Sequence, residues 1–202
     1  MAMDEVIEIL IRVMDVLENH EIPYFVAGSL ASSLHGIPRA TQDADVVADI
    51  RTEHVDLLVQ EFRGSFYIDE AMVRGAIENR SSFNIIHLET LFKVDMFIPK
   101  DDLLSRYEME RRQSFQIPGR PDKKLVVASP EDVIVQKLHW HRLGSGVSER
   151  QWTDALGVIK VTGKRLDREY LSKTAALLDV QGLLNRALGE AGLEPRQTDP
   201  DE

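Results

Sequence analysis

Apolar residues recur every three or four positions over residues 3–19, with Val6, Leu10, Val13, Met14 and Leu17 on one stripe, which predicts an amphipathic helix. Tyr24-Phe25-Val26-Ala27 is a short apolar run of strand character, and Gly28-Ser29 follows it directly. Residues 30–35 read as a short helix stopped by Gly36 and Pro38. Over residues 44–50 the pattern alternates: Ala44, Val46, Ala48 and Ile50 fall on one face of a strand, and Asp43, Asp45, Val47 and Asp49 on the other. Thr52 is placed to cap a helix that runs to about Phe62.

Residues 66–68 are β-like, and 69–76 predict a short helix. The runs 83–88 and 91–98 are joined tightly enough to form a hairpin. A helix is expected over 101–112, then a second hairpin, with 114–117 and 124–128 flanking the turn signal Pro118-Gly119-Arg120-Pro121-Asp122. From Ser129-Pro130-Glu131-Asp132 the pattern changes: a cap, a proline in the first turn and acids at the positive dipole end announce a helix to about Arg142. Gly144-Ser145-Gly146 breaks it, and helices follow over 149–161, 167–178 and 181–188, with Trp140 and Trp152 expected to pack among them. The chain therefore divides into an α/β part (1–128), a helical part (129–190) and a tail without periodicity (191–202), expected to be flexible.

Composition narrows the chemistry. A chain of 202 residues suits one domain, or one domain with a small appendage. The absence of cysteine excludes disulfides, thiol catalysis and thiolate metal sites. No apolar run approaches the ~18 residues of a membrane span, and MAMDEVIEIL carries acids where a signal peptide carries bases, so a cytoplasmic protein without membrane association is expected. With 34 acids against 24 bases the net charge is −10, which disfavours non-specific coating of nucleic acid. An RNA acceptor would need a local basic patch, for which Lys123, Lys124, Lys137, Arg142, Lys160, Lys164 and Arg165 are the candidates.

Three carboxylates stand apart from that acid excess. Asp43 and Asp45 share a strand face, and Asp95 lies inside the apolar run Phe92-Lys93-Val94-Asp95-Met96-Phe97. An acid within an apolar strand is expensive unless it is paired, here with Lys93 or an arginine, or bound to a metal. Neighbouring strands would bring the three together as hard oxygen ligands suited to Mg²⁺. Gly28-Ser29, between a strand and a helix, offers a close backbone approach and N–H groups to a phosphate. Each part alone is common: Asp-x-Asp can be a solvated edge, and Gly-Ser an ordinary turn and cap. The specific signal is their conjunction, with thirteen residues between Ser29 and Asp43. The six histidines form no metal pattern, and there is neither a Walker lysine motif nor a Ser-His-Asp set.

Phe25-Val26-Ala27-Gly28-Ser29 followed by Asp43-Ala44-Asp45-Val46 resembles the signature of the DNA-polymerase-β-like nucleotidyltransferase superfamily, and Asp95 in Lys93-Val94-Asp95-Met96-Phe97 matches its third carboxylate. Arg39-Ala40-Thr41-Gln42-Asp43 and the stretch from Glu131 to Leu138 look most like the small prokaryotic branch that includes AbiEii-type toxins. The resemblance implies an α+β fold, in which a nucleotidyltransferase core with a mixed sheet flanked by helices is followed by a helical region. It implies that a nucleoside monophosphate moves from an NTP to an acceptor hydroxyl with release of pyrophosphate. The metal would be Mg²⁺ in a two-metal site, with Mn²⁺ as a substitute.

Carried over by residue, Asp43, Asp45 and Asp95 are the catalytic and metal-binding carboxylates, and Gly28 and Ser29 hold the triphosphate. Lys137 and Asp154 fall where the toxin-like members complete the site, and Arg39 precedes the acids as a phosphate contact. Each of these last three has a plainer alternative: a solvated helix lysine, an acid paired with Arg150 one turn earlier, and an exposed loop arginine. The acceptor is open among a protein hydroxyl, an RNA 3′ end and a small molecule, and the toxin-like branch implies a cognate antitoxin as partner. The alternative function is a non-catalytic nucleotide-binding or regulatory module that keeps the fold.

Overall fold

The apolar stripe at the N-terminus folds as α1 (Met3–Asn19) and buries Val6, Leu10, Val13, Met14 and Leu17, with Ile7, Ile9 and Ile11 beside them. The computed structural model describes residues 3–117, 120–121, 123–144 and 148–193. The expected tail from residue 194 onward, Pro118, Gly119 and Asp122 of the second hairpin turn, and Ser145 and Gly146 of the expected break lie outside the described residues. The chain divides into two units: the segment up to Leu30 with Ala40–Ala128, and Ala31–Arg39 with everything from Ser129 onward.

The first unit is built on a mixed sheet. After α1 come β1 (Tyr24–Ala27), α2 (Gly28–His35), β2 (Asp43–Ala48), α3 (Val55–Phe62), β3 (Phe66–Tyr67), α4 (Glu70–Glu78), β4 (Ser82–His87), β5 (Lys93–Phe97), α5 (Leu103–Arg111), β6 (Gln113–Gln116) and β7 (Lys124–Val127). Among the described residues seven strands are ordered β3-β4-β5-β2-β1-β7-β6. Both expected hairpins, β4–β5 and β6–β7, are antiparallel pairs. β2 runs antiparallel to β1 and parallel to β5, so the chain crosses over before β5 returns beside β2. Alternation places Ala44, Val46 and Ala48 of β2, and Val94 and Met96 of β5, in the core, while the intervening positions face out half-buried.

Two local expectations are corrected. Thr52 does not cap α3: residues Thr52–His54 form a 3₁₀ turn entered from Arg51, whose N–H donates to His54 Nδ1 at 3.1 Å. α2 opens at Gly28, two residues before the expected start.

The helical unit contains α6 (Pro130–Leu143), α7 (Glu149–Thr162), α8 (Arg168–Leu177) and α9 (Gln181–Glu190). Ser129 is its first cap: Oγ accepts from the Asp132 N–H at 3.1 Å, and the hydroxyl donates to Asp132 Oδ2 at 2.6 Å. α6 touches α7, α8 and α9, and its apolar residues Val133, Ile134, Val135 and Leu138 are buried on more than one side. Gly36 belongs here because a Cβ at that position would stand 2.8 Å from the Val158 nitrogen, so only glycine permits the backbones to meet so closely. The two tryptophans diverge. Trp152 packs, with its ring 5.2 Å from His141 and the Arg186 guanidinium 4.5 Å above it, whereas Trp140 is 56% exposed and is no part of the core.

Candidate functional site

Strand register assembles the carboxylates. In the parallel pair β2–β5, Asp45 lies opposite Asp95 and Asp43 opposite Lys93. Across β4–β5, Asn84 lies opposite Asp95, and across β1–β2, Ala27 lies opposite Asp45. One row of four strands thus reads Asn84, Asp95, Asp45, Ala27 on the half-exposed face of the sheet, with Gly28 next along the chain. Neighbouring strands are ~4.8 Å apart, so Asp45 and Asp95 rise from adjacent backbone positions, and Asp43 lies two residues along on the same face.

Each acid is held locally. The Thr41 hydroxyl donates to the Asp43 carbonyl at 2.8 Å and reaches Asp43 Oδ1 at 3.2 Å. Asp45 packs onto the backbone of Gly28, which has a φ of +59°. Any Cβ at position 28 would overlap the Asp45 carboxylate, falling 2.6 Å from Cγ. Glycine is therefore required twice, by its φ and by its neighbour. α2 begins at this glycine and carries no acid in its first turn, leaving its positive dipole end uncompensated by the helix's own residues.

A cation already stands at the carboxylates. Lys93 Nζ is 2.8 Å from Asp95 Oδ2. The hydrogen bond to Asp95 raises the ammonium pKa above its ordinary value against the opposing effect of burial, and the charges of Asp95, Asp43 and Asp45 add to the rise. Among the described residues no three acid or imidazole side chains surround a single point as they stand, and Asp95 is engaged with Lys93. The donor chemistry suits a hard divalent cation: three carboxylates share one half-exposed face, with Asp45 and Asp95 opposite each other in the register. These are the side chains that could hold Mg²⁺.

The helical unit contains the second set. Arg39 clamps Asp154 with both ends of its guanidinium, Nε to Oδ1 at 2.9 Å and Nη2 to Oδ2 at 2.8 Å. Lys137 Nζ reaches Asp154 Oδ2 at 2.8 Å. The Asp154 and Lys137 side chains are 7% and 6% exposed. Burial alone would push the Asp154 carboxyl up, but hydrogen bonds from Arg39 and Lys137, with their charges, outweigh it and hold the pKa below its ordinary value. The plainer alternatives for these residues are overturned: Lys137 is not a solvated helix lysine, Asp154 pairs with residues 39 and 137, and Arg39 is anchored. Lys137 also drops out of any surface patch, Lys123 is paired with Asp15, and Arg142 with Asp179.

Asp43, Asp45 and Asp95 are thus brought together with Gly28 on one unit, and Ser29 follows Gly28 in the first turn of α2. Arg39, Lys137 and Asp154 meet on the other unit. Sequence reasoning missed Asn84, which the alternation of β4 puts on the acid face, and Thr41, whose two-residue spacing to Asp43 was the available signal.

No protein-family model matches the sequence, and no curated protein matches it. Solved structures do match. An antigenic nucleotidyltransferase-like protein from Paracoccidioides brasiliensis aligns at 19% identity and a TM-score of 0.56, over 96% of each chain. The antibiotic-resistance factor ANT(2'')-Ia aligns at 11% identity and a TM-score of 0.51, over 93% of this chain and 98% of that one. The chain therefore has the mixed α+β fold of nucleotidyltransferase-like proteins.

Proposed function

We propose that the chain is a nucleotidyltransferase that uses Mg²⁺ to move a nucleoside monophosphate from an NTP to an acceptor hydroxyl. The observation that carries this reading is the registration of Asp45 against Asp95, with Asp43 on the same face and Gly28 against Asp45. The shared fold supports it. Mg²⁺ held by Asp43, Asp45 and Asp95 would neutralise the triphosphate and make the acceptor hydroxyl more acidic.

The chain's own residues divide the remaining work. Gly28 and Ser29 present backbone N–H groups and a hydroxyl to the triphosphate at the start of α2. The acceptor oxygen forms a bond to the α-phosphorus as the bond from that phosphorus to the bridging oxygen breaks, and pyrophosphate leaves with the electron pair. A carboxylate oxygen of Asp95 takes the acceptor's proton. Arg39, Lys137 and Asp154 enter as a nucleotide-binding set, in which Asp154 fixes two side chains whose charge suits phosphate. The acceptor hydroxyl belongs to a protein, an RNA 3′ end or a small molecule.

The test incubates the protein with each α-labelled NTP, Mg²⁺ and a cell extract, and identifies the labelled species. Transfer by the wild type that Asp45→Ala abolishes supports the proposal. The absence of both transfer and Mg²⁺-dependent NTP binding refutes it.

A further inference from the structure

The half-exposed face of β2 and β5 carries three carboxylates and one lysine, and the lysine is on the same strand as Asp95, one side-chain position away. Lys93 lies opposite Asp43 in the register, so its side chain rises between Asp43 and Asp95. Its ammonium makes the ion pair with Asp95 Oδ2 and feels the charges of Asp43 and Asp45. A tethered ammonium and a hydrated divalent cation compete for the same oxygens: Lys93 offers N–H donors to lone pairs that a metal must take directly.

We propose that Lys93 is the resident counter-ion of this carboxylate face and that its pairing with Asp95 excludes a divalent cation, so that metal binding requires the Lys93–Asp95 pair to open. Lys93 is a positioning residue in this scheme: it holds Asp95 and offsets the mutual repulsion of the acids until the metal displaces it. The release has a further effect. Two positive charges are available to a triphosphate once the pair has opened, the metal and the freed ammonium, where in the resting face the one ammonium is tied to Asp95. Metal-free protein would thus be held in a stable, low-affinity state by one side chain of its own. The inference rests on the metal-binding reading of Asp43, Asp45 and Asp95 proposed above.

The experiment measures Mn²⁺ binding to the full chain without nucleotide, by electron paramagnetic resonance of the free ion, and thermal unfolding with and without Mg²⁺. Lys93→Met should bind Mn²⁺ about fivefold more tightly than wild type, the change expected from removing one partly exposed ion pair. The same variant should melt at a lower temperature than wild type in chelator and gain more from Mg²⁺. Lys93→Arg, which keeps the charge, should restore wild-type affinity. Wild type that binds Mn²⁺ while Lys93→Met binds it equally or more weakly overturns the role of Lys93 and leaves the metal reading standing. Failure of both proteins to bind Mn²⁺ overturns the metal reading, and the role of Lys93 with it.

Discussion

The carboxylate of Asp45 occupies the space into which a side chain at Gly28 would have to grow. β1 and β2 are antiparallel neighbours with Ala27 opposite Asp45, so the turn into α2 passes directly against the acid row. Gly28→Ala therefore meets two penalties, a left-handed backbone of about 1–2 kcal/mol and an overlap that only movement of Asp45 relieves. Gly64→Ala is the matched control: its φ is +96° and its added Cβ meets nothing within 4 Å. Urea unfolding should show Gly64→Ala destabilised by about 1–2 kcal/mol and Gly28→Ala by more, because only the latter also displaces Asp45. Calorimetry with Mg²⁺ and ATP should show at least a tenfold loss of affinity for Gly28→Ala alone; equal loss in both would remove the link between Gly28 and Asp45.

Asp45 and Asp95 stand directly opposite one another as like charges, a repulsion that the Lys93–Asp95 ion pair offsets only in part. Asp45→Asn relieves that repulsion. In chelator it should unfold at the same or a higher denaturant concentration than wild type. Transfer of labelled nucleotide should fall by roughly a thousandfold, as expected when a metal-bearing carboxylate is lost. A variant that loses activity only because it loses stability would contradict the assignment of Asp45.

The acid row was half visible in the sequence. Strand alternation placed Asp43 and Asp45 together without any knowledge of the fold, because a two-residue period is local. The pairing of Asp45 with Asp95 was not local: it depends on a parallel crossover that brings β5 beside β2, and hydrophobic pattern does not encode such a register. Asn84 joined the row for the same reason. Arg39 and Asp154 are separated by 115 positions, so their bidentate pair could not be read from spacing, and helical spacing pointed to Arg150 instead. The burial of Lys137 follows from the packing of α6 against three other helices. Thr52 failed as a cap because it lies inside the 3₁₀ turn, whose entry position is Arg51.

The Asp154 cluster predicts an asymmetry among its members. Asp154→Ala removes the carboxylate that the nearly buried Lys137 ammonium and the Arg39 guanidinium share, and breaking a buried pair in this way costs about 3–5 kcal/mol. Lys137→Met removes one cation and leaves Asp154 clamped by Arg39, so it should cost less than Asp154→Ala. The double variant should recover part of the loss, with a coupling of about 1–3 kcal/mol by chemical denaturation. Strictly additive losses would show that the three side chains do not act as one group.

Acid should release the same cluster. The pKa of Asp154 is depressed below its ordinary 3.8 because the hydrogen bonds from Arg39 and Lys137 outweigh the opposing effect of burial. A depressed carboxylate pKa means that the folded state binds the proton less readily than the unfolded chain does. The stabilisation is therefore complete above 3.8 and disappears as the pH falls below that value through the folded pKa. Wild type should lose stability over that interval more steeply than Asp154→Asn, which carries no titrating group at this position, and the two curves should converge at the acid end. Unfolding free energies measured across pH 2 to 6, roughly the range in which carboxylates titrate, check the sign directly. Parallel curves would mean that Asp154 has the same proton affinity folded and unfolded, and that the clamp by Arg39 and Lys137 does not hold the carboxylate in its charged form.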